Sequence, residues 1–399
     1  MQVRANLPLA GRDLRLDLFR GLANWAIFLD HIPHEVLSSI TSKNYGFSDA
    51  ADLFVFISGY TAASVFGRIM IERGYAAAAS RLLKRVSKLY AAHIIVLAVY
   101  IAIVGGLSRG LHDPDDLNQF NVAVFICHPL RELSQALLLR YRPVNLDVLP
   151  LYILLLATFA PALWLMVRKP TLTLVGSLVV YFAARHFGWN LTISPSGLWY
   201  FNPFAWQLLF FLGAWIALGG AQALQPVVRS RAVFYLAVAF ILFAFVVTMA
   251  AHSAGLGNLL PHWILQSFDP NDKTNLAPYR VVHLIAVAVV VTRFLAVESP
   301  ILKWRLSAPA IKCGQNSLEV FCIGIVLSFC AHAAIETSLD SLWVQIFVGA
   351  LGILFLTASA HYLTWHKWQD RGFLFAKVLR PLLKLEMPLV DREPKRRFQ

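Results

Sequence analysis

Long apolar runs separated by short polar segments set the pattern of this chain. Ten such runs cover residues 16–36, 48–69, 87–107, 148–167, 171–187, 203–219, 232–253, 280–298, 316–335 and 341–363. Each is close to the roughly 20 residues that an α-helix needs to cross a bilayer. A transmembrane barrel would show alternating segments of about ten residues instead. The pattern therefore predicts an all-α polytopic membrane protein with about ten transmembrane helices. It forms one unit over residues 1–365. Between the third and fourth runs, residues 108–147 are too polar for a plain span. Their apolar patch, Val122 to Leu139, is interrupted by His128-Pro129 and Arg131-Glu132. It reads as an outer-face amphipathic or re-entrant helix. The tail 366–399 is basic and partly amphipathic, which suits the cytoplasmic membrane surface.

Composition sharpens this picture. The 399 residues are 58% hydrophobic and 14% charged, and mean hydropathy is +0.61. Soluble proteins carry about 25% charged residues. The net charge of +13 would suit nucleic acid, but its distribution does not. With the N-terminus in the cytoplasm, 25 Lys and Arg fall on the inner side. Only seven fall outside: Lys43, Arg109, Arg131, Arg140, Arg142, Lys273 and Arg280. That asymmetry predicts both termini inside, with cationic loops near anionic lipid and no nucleic-acid partner. The N-terminal residues lack a signal peptide's cleavage site, so the first run reads as a retained anchor. Cys127, Cys313, Cys322 and Cys330 show no metal or disulfide spacing, so no metal is expected. No internal repeat supports an inverted-repeat transporter.

Ionisable groups inside apolar runs are costly and mark function. The first run holds Arg20, Asp30 and His31. Arg20 and His31 are eleven residues apart, about 20° past three helical turns, so they share a face. Their axial separation is roughly 16 Å. A neutral imidazole in an apolar surround can abstract a hydroxyl proton. Asp30 projects about 100° away, so any acid orienting His31 comes from another helix, with Asp52 the candidate. Ser58 and Gly59 fall mid-run in the second stretch, where Gly59 permits close helix approach. Arg81 and Arg85 share a helix face and could clamp phosphate, or simply sit in solvent or lipid headgroups. His93 follows two turns later on much the same face. Asp147, Gln207, His283, Glu298 and Glu319 interrupt other runs and could line a cavity or bond between helices. The aromatic-rich loops Gly188–Asn202 and Ala254–Tyr279 suit either sugar stacking or an interfacial belt.

These elements carry a resemblance. The Arg20 to His31 spacing, FVFISGY at 54–60, RLLKRVSKLY at 81–90 and CGQNSLEVF at 313–321 resemble the ordered motifs of the type 3 membrane acyltransferases. RLDLFRGLANWAIFLDH, DAADLFVFISGYT, LDVLPLYI and NPFAWQLLFFLGAW resemble the OpgC branch, which is associated with succinylation of osmoregulated periplasmic glucans. The resemblance spans roughly 12–365. Asp52 and Lys88 depart from the general pattern, which has an apolar or aromatic residue and a proline there.

The resemblance implies helices around a membrane-embedded acyl-transfer cavity in a bacterial inner membrane. It implies cytoplasmic acyl-CoA, as succinyl-CoA or acetyl-CoA, as donor and a periplasmic glucan as acceptor. His31 would be general base or acyl carrier, and Arg20 would position the donor or an oxyanion, with Asp30 and Asp52 in the catalytic group. Arg81, Arg85, Tyr90, Ser58 and His93 would attend the donor, and Asp147, Trp206 and Gln207 the acceptor. Two other readings remain open. One is O-acetylation of another surface polysaccharide. The other is proton-coupled transport with Asp30, His31 and Glu298 as relay.

Overall fold

The computed structural model describes residues 12–33, 35–111, 120–252, 254–257, 260–268, 270–338 and 341–383. Residues 112–119 of the expected outer-face segment and 384–399 of the expected tail lie outside this set. The described chain is a bundle of α-helices with isolated β-bridges only, Tyr141 to Ser194 and Thr192 to Leu198.

Helix α1 spans Leu14–Asp30 and starts at an Asp13 N-cap. It stops where Pro33 approaches, because the residue before a proline disfavours helical backbone. His31 thus forms the C-cap instead of continuing the helix. Short 3-10 turns at Val36–Ile40 and Ser42–Asn44 then lead to the next helix. Helix α2, Ala50–Leu111, holds both the second and third apolar runs. Its only break is Gly74 at φ 82, a conformation that costs glycine little. Thr61 and Arg85 lie on opposite sides of Gly74 yet line one cavity, so the two legs run back alongside each other.

The expected outer-face segment forms two short helices, α3 (Ala123–Cys127) and α4 (Pro129–Leu137). Next come α5 (Val148–Arg168) and α6 (Pro170–Phe187). Helix α7 (Pro203–Trp215) passes through a π-turn at Ile216–Gly220 into α8 (Ala221–Arg229). Helix α9 (Arg231–His252) precedes two short helices, α10 (Ala254–Gly257) and α11 (His262–Phe268). The rest are α12 (Pro278–Phe294), α13 (Ala308–Gln315), α14 (Ser317–Glu336) and α15 (Leu342–Leu383). Among the described residues, six helical stretches are long and apolar enough to cross a membrane: Ala50–Gly106, Val148–Arg168, Pro203–Arg229, Arg231–His252, Ser317–Glu336 and Leu342–Lys367. The other expected spans fall on α1, α6 and α12.

Helix α1 is wrapped by α2, α13, α14 and α15. Helix α2 packs on α5 and α7. Two crossings are unusually close. A methyl group on Gly21 would collide with the carbonyl oxygen of Ala310, and one on Gly314 with that of Asp17. Gly59 and Gly213 face the carbonyls of Phe210 and Phe56 in the same reciprocal way. Small residues let backbones meet where lipid offers no hydrophobic drive between helices. Helices α9 and α15 stand at the rim, with Leu236, Leu242, Leu354 and Phe355 exposed.

Candidate active site

Two cavities follow one face of α1. The larger, about 740 Å³, is lined by Asp30 and His31. The smaller, about 220 Å³, is lined by Arg20. The cavities meet nearly end to end. Ala51 lines the first, and Phe54, one turn further along α2, lines the second. That offset is about 4.5 Å of helix rise. On α5, Asp147 belongs to the first cavity, Leu149 to the second and Val148 to both. Roughly one layer of side chains separates them.

The His31 cavity is built from chain ends and loops. The imidazole lines the wall, with Nδ1 buried and lacking a hydrogen-bond partner among the described residues. The His31 carbonyl accepts from Asn145 Nδ2 at 3.2 Å. Three ion pairs ring the space. Asp30 pairs with Lys43 at 3.2 Å and accepts from Thr41 Oγ1 at 2.6 Å. Lys273 meets Asp49 at 2.6 Å. Arg142 meets Asp147 at 3.2 Å and stacks on Trp199, 3.3 Å from the ring centroid. Burial lowers the Lys273 ammonium, but Asp49, Tyr200 and Asp52 outweigh it and hold the group above its usual value. Burial pulls the Arg142 guanidinium down to about 10 and pushes the Asp147 carboxyl up against the attraction of Arg142. Tyr200 and Leu198 are exposed at the rim.

The Lys273 loop is anchored from beneath. Trp206 Nε1 donates to the Lys273 carbonyl at 2.9 Å and Tyr181 Oη to that of Leu276 at 2.7 Å. Asn202 Nδ2 donates to Asn275 Oδ1 at 3.0 Å.

The Arg20 cavity has another character. Arg20 and Arg85 both line it, together with Ser58, Thr61, Tyr152 and Ser317. No acidic residue is among those described as lining it. Arg20 Nη2 donates to Thr61 Oγ1 at 3.0 Å and to the Ile57 carbonyl at 3.3 Å. Its Nε is buried without a partner among the described residues. Two guanidinium groups in a wall of otherwise neutral residues are chemically suited to an anion.

The family model described as OpgC protein matches residues 12–368. The chain belongs to the OpgC family. No curated protein and no solved structure matches it. OpgC membership suggests a glucan-modifying acyltransferase.

The matched span of this OpgC-family chain includes both cavities, and it separates the expected residues into groups. Arg20, Ser58 and Arg85 come together in the smaller cavity. Asp30, His31 and Asp147 come together in the larger. Asp52 does not orient His31. Its carboxylate is fully buried, caps α2 by accepting from the Asp49 N–H at 2.9 Å, and takes Arg280 at 2.6 Å. The Asp49 carboxylate in turn accepts from the Ala51 N–H at 2.8 Å, so both acids satisfy N–H groups at the start of α2. Arg81 is exposed and absent from the described lining of the Arg20 cavity, whereas Arg85 lines it with Arg20. Tyr90 donates to the Leu137 carbonyl at 2.8 Å and ties α4 to α2. His93 is buried, and neither ring nitrogen has a hydrogen-bond partner among the described residues; it lines neither cavity. Gln207 bonds Ser177 through both side-chain ends at 2.6 and 2.8 Å, a helix-to-helix link. Trp206 supports the Lys273 loop without lining the cavity.

Lys43, Arg142, Asn145, Tyr200 and Lys273 were not singled out by motif. They come from loops, and only their place among the outer-side cations and aromatic-rich segments hinted at them.

Proposed function

We propose that this chain is a transmembrane O-acyltransferase that moves a succinyl group from acyl-CoA to hydroxyls of a periplasmic glucan. The observation that supports this reading is the stack of two cavities along α1, with an anion-binding recess at Arg20 and an imidazole at the far end. Acyl-CoA brings phosphates and a long flexible arm ending in a thioester. Arg20 and Arg85 suit the phosphates or the polar arm. A cavity of about 740 Å³ is ample for sugar rings. Its rim offers paired charges for hydroxyl groups and Tyr200 for stacking. The distribution of Lys and Arg orients the Arg20 end toward the cytoplasm and the His31 end outward.

In this scheme the acceptor hydroxyl enters beside His31 and the thioester arrives through the layer between the cavities. The imidazole takes the hydroxyl proton as the oxygen attacks the thioester carbonyl. The new C–O bond forms, the C–S bond breaks, and the proton passes to the departing sulfur, leaving the ester and free CoA. Attack by His31 itself, giving an acyl-imidazole that the sugar then cleaves, uses the same geometry. Arg20 lies in the cavity away from His31, which favours donor positioning over an oxyanion role.

The test incubates purified protein with labelled succinyl-CoA or acetyl-CoA, with and without periplasmic glucan, and reads the product by mass spectrometry. Succinyl adducts on glucan are expected. His31→Ala is expected to lose transfer by roughly 100-fold or more, the usual scale of general-base catalysis. Full transfer by that variant would end the proposal.

A further inference from the structure

We infer that Val148 sets which acyl chains pass from the Arg20 cavity to His31, an inference that rests on the function proposed above. Val148 lines both cavities. It is buried, at 5% exposure, at the first turn of α5. The layer around it is thin. Ile27 of α1 lines the His31 cavity, and Phe54 of α2 lines the Arg20 cavity. Both are buried, and Phe54 leans on Phe321 of α14 with ring centroids 6.0 Å apart. Any acyl group carried on a thioester between the two cavities must cross this layer.

The position of Val148 is also fixed. The preceding residue, Asp147, is held by Arg142 at 3.2 Å, and the Arg142 guanidinium in turn sits over the Trp199 ring. The Leu151 N–H bonds back to the Asp147 carbonyl at 3.4 Å. Valine has one branch point and few rotamers, so it does not swing aside freely. Bulk at this one site therefore decides the clearance. Aromatic bulk closes the passage, and removal of the two methyl groups widens it. One methylene more or less in an apolar constriction is worth about 10-fold or more in rate. Val148 is a specificity-determining residue and takes no part in the bond changes.

The experiment uses the full chain purified in nanodiscs. Transfer to periplasmic glucan is measured with succinyl-CoA and with glutaryl-CoA, which is one methylene longer. Binding of free CoA is measured separately by calorimetry. Val148→Trp is expected to lose transfer of both groups by about 100-fold while CoA binds within about twofold of the native protein. Val148→Ala is expected to raise the glutaryl-to-succinyl ratio of kcat/KM about tenfold. Undiminished transfer by Val148→Trp overturns the inference. If that variant also loses CoA binding, the alanine variant decides alone, and an unchanged ratio overturns the inference. A native protein that transfers neither group defeats the functional reading itself, which is a different result from native transfer that ignores residue 148.

Discussion

At the scale of single residues, the buried acids of α2 divide structure from chemistry. Asp52 has its charge satisfied by Arg280, and Asp49 shares Arg280 and Lys273. Arg280→Met leaves Asp52 buried without a counter-ion. Breaking one side of a buried ion pair costs about 3–5 kcal/mol. The variant should therefore unfold at clearly lower temperature in detergent, read by thermal shift. Asp52→Asn should lower stability too, yet leave the pH profile of acyl transfer where it is, because no contact joins Asp52 to His31. A displaced profile would show that Asp52 acts through the imidazole after all. The arginines divide in a similar way. Arg85 lines the Arg20 cavity, and a hydrogen bond to a charged group is worth about 1.5–3 kcal/mol. Arg85→Ala should raise the KM for acyl-CoA by about tenfold or more. Arg81 is exposed, where an ion pair is worth about 0–1 kcal/mol, so Arg81→Ala should shift that KM by less than about fivefold. Donor-concentration series on both variants test the pair.

At the scale of elements, the close crossings hold the site in register. Gly21 follows Arg20 directly, and its contact with Ala310 fixes how α1 sits on α13. Gly21→Ala has no flexible neighbour to push aside, only backbone. Overpacking of this kind costs about 1–3 kcal/mol and shifts the helix axis. The expected outcome is a lower unfolding temperature together with weaker CoA binding, whereas Gly176→Ala, with open space around its α-carbon, should change neither. Equal behaviour of the two variants would contradict the crossing as described. The apolar runs announced these helices because runs near bilayer length leave few alternatives, and Gly59 was legible as a packing notch for the same reason. Gly21, Gly213 and Gly314 were not, because their meaning depends on which helix lies opposite. The end of α1 departs from the apolar run 16–36: Pro33 turns the chain, so His31 caps the helix and does not sit within it. Between the second and third apolar runs the chain turns at a single positive-φ glycine, Gly74. The cavity-lining cations were hidden for a different reason. Lys43, Arg142 and Lys273 stand far apart in the chain, and only the fold brings them around one imidazole.

At the scale of the whole molecule, the functional reading requires the two ends of the cavity stack to face opposite compartments. The chain supplies its own reporter. Among the described cysteines, Cys127 is exposed, Cys313 is buried, and Cys322 and Cys330 are half-buried. Cys127 ends α3, and its neighbour Ile126 lies beside Gly105 on the second leg of α2. Gly105 is twenty residues beyond Arg85, about 30 Å along that leg, so Cys127 marks the end away from the arginine recess. Asn121, six residues earlier, lines the His31 cavity. A membrane-impermeant maleimide added to intact cells with a permeabilised outer membrane should therefore label the native protein. Cys127→Ser should remove that label, and inside-out vesicles should gain none. Labelling confined to inside-out vesicles would turn the molecule over. The arginine recess would then face a compartment without acyl-CoA, and His31 would face one without periplasmic glucan. Charge asymmetry argues against that orientation, since the Arg20 end continues into the segments richest in Lys and Arg. One labelling experiment thus tests the topology and the direction of acyl flow together, because the same two cavities fix both.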